Sequence, residues 1–197
     1  MNFKHLSVFG LSTLFALGAA ATPLNLSPGG EIASGSGNPS QSDIEGILTG
    51  LGIEIPPHFH ELYRDEADPP GESGSYASSY TTTYNPDASS AEGFEIRYVG
   101  SGEVMTGAQF LLVKGPNGGR KSDPASPAWY LFDIRGWDGD ENGDMPIIGS
   151  GFWAGGGGAV SHLRIIGVPD RGATVALFGM ALLGMAGVRR MIGCRKG

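Results

Sequence analysis

The chain has 197 residues, with 34 glycines, 13 prolines and only 17% charged residues. This length has room for one domain of ordinary size, and the composition favours many short strands joined by turns over a helical bundle. The stretch from Glu31 to Asp170 holds all 20 acidic residues but only 7 of the 13 basic ones, a balance of −13 that disfavours binding to nucleic acid.

The N-terminal residues predict a secretory signal peptide over residues 1–21. Lys4 gives a basic start, an apolar stretch runs from about Leu6 to Leu17, and Ala19 and Ala21 satisfy the rule of small residues before a cleavage site. We expect export by the Sec machinery and cleavage after Ala21. The alternative is a short membrane anchor that stays uncut.

A short helix is predicted behind a flexible lead. The lead, residues 22–41, is rich in Gly, Ser and Pro. The stretch SDIEGILTGLG predicts a helix over residues 42–52, with Ser42 as the N-cap and Glu45 completing a capping box. Its apolar residues follow helical spacing and are expected to dock on a sheet: Ile44, Ile47, Leu48 and Leu51.

The stretch PPHFHELYRDEADPPGESG is interpreted as an acidic linker between prolines. His58, His60 and Glu61 are residue types that bind zinc, but their spacing is not that of a helical zinc motif. We therefore favour a solvated loop.

From Gly74 onward the pattern alternates with a period of two, which predicts strands. The alternating stretches are SYASSYTTTY, FEIRYV and VSHLRIIG, whereas AQFLLV and AWYLFDI are continuous apolar runs typical of central strands. GFW is predicted as a further strand. The expected fold is mainly β, an antiparallel sandwich or jelly roll over residues 42–167 with one short N-terminal helix.

The stretch DGDENGD matches the first half of a calcium-binding loop. Asp138, Asp140, Asn142 and Asp144 alternate, and Gly143 stands at the sixth position. The twelfth position is Gly149 rather than Glu, and no helix is predicted to follow. Ca²⁺ is the one cofactor this pattern suggests, and a turn without an ion is the favoured alternative.

Three tryptophans, Trp129, Trp137 and Trp153, are candidates for a sugar-stacking surface. Aromatic faces bind saccharides, but in a small sandwich such residues more often belong to the core.

No catalytic signature is found. Asp133 and Glu103 are carboxylates of the kind that glycoside hydrolysis needs, but nothing in the sequence fixes their separation. The chain contains no Gly-x-Ser-x-Gly, no cysteine before Cys194 and no phosphate-binding loop with a lysine. We expect a protein that is not an enzyme.

The C-terminal part predicts a transmembrane helix over residues 173–188. This stretch is uncharged and spans about 24 Å, somewhat less than the hydrocarbon core of a bilayer. A basic cluster follows over residues 189–196, so the positive-inside rule places this end in the cytoplasm and the acidic body outside. A buried core helix is the alternative, but three glycines and apolar residues on every face disfavour it.

The short motif, apolar helix and basic cluster together resemble the PEP-CTERM sorting signal of Gram-negative bacteria, in its Val-Pro-Asp variant. The residues that carry the resemblance are Val168, Pro169, Asp170, Gly172, Arg189 and Arg190. It implies recognition by an exosortase, a membrane protease that removes the helix. Arg171 stands where that variant usually has a small or hydroxylated residue.

Residues 126–167 also resemble the C-terminal half of an ectodomain that recurs in PEP-CTERM proteins. The resemblance implies fold and export but no activity. We expect an exosortase-processed protein with a structural or adhesive role, which passes through the inner membrane to the cell surface, extracellular matrix or biofilm of a Gram-negative bacterium. The alternatives are a Ca²⁺-assisted module that binds extracellular polysaccharide and, third, a secreted hydrolase.

Overall fold

The computed structural model describes residues 22–115, 127–154 and 159–169. In these ranges the chain folds into two sheets and one short helix, which confirms the predicted mainly β class. The four-stranded sheet has the spatial order β1 (Leu24–Leu26), β9 (Ile147–Gly149), β6 (Gly93–Tyr98), β5 (Tyr80–Asn85). The six-stranded sheet has the order β2 (Ala33–Gly35), β8 (Trp129–Asp133), β7 (Ala108–Lys114), β10 (His162–Gly167), β3 (His60–Ala67), β4 (Pro70–Ser73). All pairs are antiparallel except β1 with β9.

The main core lies between the two sheets. Alternate residues of the central strands point inward, so Ile96 and Ile147 of one sheet meet Leu111, Leu163 and Ile165 of the other, all fully buried. Aromatic rings fill one end of this layer, where the ring of Phe152 lies 5.6 Å from that of Phe94 and 5.9 Å from that of Phe132.

The helix α1 (Gln41–Gly50) covers the opposite face of the six-stranded sheet, as predicted. Its buried residues Ile44 and Leu48 belong to a second apolar cluster with Phe110, Leu131 and Ile166.

The helix begins earlier than predicted because a different serine caps it. Ser40, in extended conformation, accepts a bond from the Asp43 amide at 3.2 Å, and its own amide donates to the Asp43 carboxylate at 2.8 Å. These two bonds form the capping box, and the predicted pair Ser42 and Glu45 lies inside the helix instead.

Residues 22–41 were predicted as a flexible lead, but two short stretches of this segment form edge strands, one in each sheet. Strand β1 pairs with β9, and the amide of Leu24 donates to Pro146 at 3.0 Å. Strand β2 pairs with β8, and the amide of Ile32 donates to Leu131 at 2.8 Å. Backbone bonding, which carries no side-chain pattern, fixes this segment to both sheets.

The predicted acidic loop contains the strands β3 and β4. Tyr63, Asp65 and Ala67 point into the sandwich, and Arg64 and Glu66 form an ion pair on the other face. Inward and outward residues alternate along β3, but the inward residue Asp65 is also charged, so the acidic composition hid the strand period.

Two other strand predictions differ from the structure. GFW lies in a turn where Trp153 has φ 52, a left-handed conformation that a strand excludes, and the strand in this region is β9. In the tyrosine-rich stretch, residues before Tyr80 form turns, and the strand begins at Tyr80.

Candidate functional site

The predicted sorting motif begins where the last described strand ends. Gly167 pairs with His60 of β3 on one side and with Ala108 of β7 on the other. A side chain at Gly167 would overlap the carbonyl oxygen of Gly107, so glycine is required by this close approach. The amide of Val168 donates to the same carbonyl at 3.0 Å.

Val168 and Pro169 are half-buried against the body. Every described strand and the helix α1 come before Val168 in the chain. A cut beyond Pro169 therefore leaves both apolar clusters complete.

The remaining sorting residues, Asp170, Gly172, Arg189 and Arg190, lie outside the described residues, as do the predicted helix 173–188 and the signal-peptide residues Ala19 and Ala21. Within the part of the chain that the structure describes, α1 is too short and too polar to cross a bilayer, and no other helix is present.

In the stretch that matches a calcium-binding loop, the carboxylate of Asp140 is bound to backbone amides of the protein itself. Asp140 is fully buried, and its two oxygens accept bonds from the amides of Tyr98 at 3.2 Å and Met145 at 2.8 Å. Asp138 accepts a bond from the Asp140 amide at 2.9 Å. Asn142 and Asp144 are exposed. Among the described residues, no three His, Cys, Asp or Glu side chains come together as a metal site.

The three tryptophans point into the protein, each with its indole N–H bonded to a carbonyl. Trp129 is 6% exposed and donates to Ser36 at 3.2 Å, and Trp137 is 3% exposed and donates to Met145 at 2.6 Å. Trp153 is half-buried and donates to Pro127 at 2.8 Å. Trp129 belongs to the cluster under α1 and the other two to the core between the sheets, so they share no exposed face.

The two carboxylates considered for hydrolysis lie in different surroundings. Asp133 is held by Arg135, whose Nε lies 2.9 Å from Oδ1, and this hydrogen bonding lowers the pKa of Asp133. A general acid needs a raised pKa instead. Glu103 is exposed on a loop.

The residues of zinc-binding type make hydrogen bonds and an ion pair within the protein. The ring Nδ1 of His60 lies 2.7 Å from the carbonyl of His58, and Glu61 pairs with Arg164 of β10.

The structure adds an open groove of about 570 Å³ on the outer face of the four-stranded sheet. Hydroxyl, amide and carboxylate side chains surround the aliphatic side chain of Ile148: Thr83, Asn85, Glu92, Glu95 and Ser150. Gly93 forms part of its floor, where a side chain would come within 2.7 Å of the Gly149 carbonyl. This lining suits a polar ligand with several hydroxyl groups. Its residues come from three separate parts of the chain, so no local motif marks it.

The structure also shows a buried polar cluster that joins β5 to β3. Asp65 is 5% exposed and accepts a hydrogen bond from the Tyr84 hydroxyl. The hydroxyl of Tyr63 lies 2.8 Å from that of Thr82 and donates to Glu72 at 3.4 Å. Burial raises the pKa of Asp65 to about 6 and raises the pKa of both tyrosines.

A second polar row crosses the helix-side face of the six-stranded sheet, where His162 stands between Lys114 and Glu66. Both His162 and Lys114 are buried. The ammonium of Lys114 donates to Gly115 at 2.9 Å. Burial lowers the pKa of Lys114 and lowers that of His162 to about 4, so His162 is neutral at pH 7.

Comparison with known families identifies the tail. Residues 167–192 match the family described as the VPDSG-CTERM motif. The chain therefore carries a PEP-CTERM-like sorting tail, and this tail indicates an exported protein associated with the cell surface. No curated protein and no solved structure matches the chain.

Proposed function

We propose that this protein is an exported surface or matrix protein whose tail is removed by an exosortase and whose body has a structural or adhesive role without catalysis. The observation that carries the proposal is the position of the tail. The matched motif starts at Gly167, the last residue of β10, so the recognition signal follows the folded body without a linker.

The proposed course of maturation has three steps. The Sec machinery exports the chain, a signal peptidase cuts after Ala21, and the apolar helix 173–188 holds the body at the outer side of the inner membrane. The exosortase then cuts near Val168 to Gly172. Proline at position 169 favours an extended backbone, and a protease cleft binds its substrate as an extended peptide.

The body supports a role based on binding or assembly. Its acidic residues outnumber its basic ones, and the buried polar groups described above are engaged with internal partners. Asp133 and Glu103, the two carboxylates considered for hydrolysis, are respectively paired with a neighbouring arginine and exposed on a loop.

Processing is tested in native cells with and without the exosortase. We expect the wild-type chain to appear as a shortened species outside the inner membrane, and the exosortase-deficient strain to retain a longer, membrane-bound species. The double variant Arg189→Gln, Arg190→Gln should behave like the deficient strain, and the matched control Arg195→Gln, Lys196→Gln should be processed. Equal shortening in both strains would refute exosortase processing.

Carbohydrate binding is the second candidate, and the groove around Ile148 favours it. Saccharides need several hydrogen-bonding groups next to an apolar surface, which this groove provides. A glycan array with wild type and Glu95→Gln tests the proposal. The array is run with and without Ca²⁺, because the ion would bridge the protein and the saccharide. A loss of signal in Glu95→Gln would support the groove, and the absence of any signal in wild type would refute this function.

A further inference from the structure

The free edge of β5 differs from the other sheet edges that the structure describes. Strands β1 and β2 have three residues each, and β4 has four, starting with Pro70. Short strands and proline are common ways in which proteins prevent pairing at an edge. Strand β5 has six residues, YTTTYN, without proline, glycine or charge.

The pairing with β6 determines which backbone groups of β5 face outward. The amide of Val99 donates to Ser79 at 2.9 Å, so residues 81 and 83 continue the hydrogen-bonded positions toward β6. The N–H and C=O groups of Tyr80, Thr82 and Tyr84 therefore point to the free edge. No described residue forms a backbone bond to them there.

Side-chain contacts hold this edge in place. The hydroxyl of Tyr80 donates to the Gly139 carbonyl at 2.5 Å, Thr82 contacts the hydroxyl of Tyr63, and Tyr84 donates to Asp65. An edge fixed in this way loses little conformational freedom when a new strand pairs with it.

We propose that the β5 edge binds β5 of a second copy of this chain, antiparallel, with a two-fold axis at Thr82. Tyr80 then stands opposite Tyr84 of the second copy, and Thr82 opposite Thr82. Each of these pairs exchanges two backbone hydrogen bonds. The interface is self-complementary, as two-fold symmetry requires.

The charges on the outer face favour a second copy in this register. Thr81 is flanked by Arg97 on β6, and Thr83 by Glu95. Across the two-fold axis Thr81 of one copy lies beside Thr83 of the other. Arg97 and Glu95 form an ion pair within each copy. In this register the pair of one copy runs opposite to the pair of the other, so each row of side chains begins with an arginine and ends with a glutamate.

Pairing of one strand buries less area than stable dimers do, so this association is weak in dilute solution. Display on a surface raises the local concentration and strengthens it. The proposal gives the adhesive role a physical basis, but it does not depend on processing of the tail.

Charges introduced at positions 81 and 83 test the proposed pairing. Both side chains are exposed on the outer face, so the core contacts of β5 remain unchanged. The variant Thr81→Lys, Thr83→Lys places like charges opposite each other in the homodimer, and Thr81→Glu, Thr83→Glu does the same with the other sign. A mixture of the two variants places opposite charges there.

Sedimentation equilibrium of the full chain in detergent measures the association, and circular dichroism checks that each variant folds. We expect self-association of wild type, at least about ten-fold weaker association for each variant alone, and its recovery as a heterodimer in the mixture. Wild type that stays monomeric up to about 1 mM would overturn the proposal. Equal association of wild type and both variants would also overturn it, because the tail or another surface would then be responsible.

Discussion

Replacing Asp65 by Asn is expected to change how stability depends on pH. Asp65 lies between the sheets, where burial raises its pKa from 3.8 to about 6, against the opposing effect of the Tyr84 hydrogen bond. Well below pH 3.8 the carboxyl is protonated in both the folded and the unfolded state and carries no penalty. As the pH rises toward 6 the unfolded chain ionises first, so the folded state loses stability.

The size of this loss follows from the shift. One pKa unit corresponds to about 1.4 kcal/mol, so the penalty reaches about 3 kcal/mol once the pH exceeds 6. Asn cannot ionise, and its side-chain oxygen still accepts the bond from Tyr84. Its buried NH₂ group adds a cost of about 1–3 kcal/mol if it finds no partner, but this cost does not vary with pH.

Urea unfolding of wild type and Asp65→Asn from pH 3.5 to 8 measures the difference. The free energy of unfolding of Asp65→Asn relative to wild type should rise by about 3 kcal/mol between pH 3.5 and 8. Tyr84→Phe is the matched control: it removes the bond that lowers the Asp65 pKa, so its stability relative to wild type should fall once the pH exceeds about 6. A difference between Asp65→Asn and wild type that stays constant with pH would refute the raised pKa.

Four substitutions and one titration test other parts of the structure. Ser40→Ala should cost about 1 kcal/mol and Ser42→Ala less than about 0.5 in urea unfolding, and the reverse order would contradict capping by Ser40. Gly167→Ala should lower the unfolding free energy by about 2 kcal/mol or more, because Cβ meets the Gly107 carbonyl; an unchanged midpoint would contradict this close approach. Trp137→Phe should cost about 1–3 kcal/mol, because the Met145 carbonyl loses its donor; loss of glycan binding without loss of stability would contradict a core role. The ring of His162 should titrate near pH 4 by NMR, with stability lost as the pH falls from 6.5 toward 4; a pKa of 6.5 would contradict its burial.

The sequence pattern predicted the central strands β7 and β8 well because both faces of these strands are buried and so carry apolar side chains. β7 and β8 are continuous apolar runs covered on both faces, by the opposite sheet and by α1. β10 was predicted as a strand from its alternating sequence, but all six of its residues are buried. The edge strands β1, β2 and β4 depend on backbone bonds to a neighbouring strand and carry little side-chain signal, so they were not predicted.

The candidate ligand sites depended on three-dimensional placement that spacing does not give. Asp140 fits a calcium pattern by sequence, but its side chain turns inward to the amides of Tyr98 and Met145. Tyr98 is distant in sequence, so the pattern of DGDENGD alone contains no sign of this contact. The groove around Ile148 is likewise assembled from separate strands.

The sorting motif was predictable because it acts as a linear signal. Its residues are close together in the chain, so a sequence pattern can detect them without knowledge of the fold. The match at residues 167–192 agrees with the tail found from Val168 onward.

The central claim is export followed by removal of the tail from a complete body. Intact mass spectrometry of the protein from the medium and the envelope of its native cells tests it most directly. The account predicts a mass that begins at Thr22 and ends between Val168 and Gly172. A mass that retains Arg189 to Lys196 in all fractions would contradict it and would indicate a permanent membrane anchor.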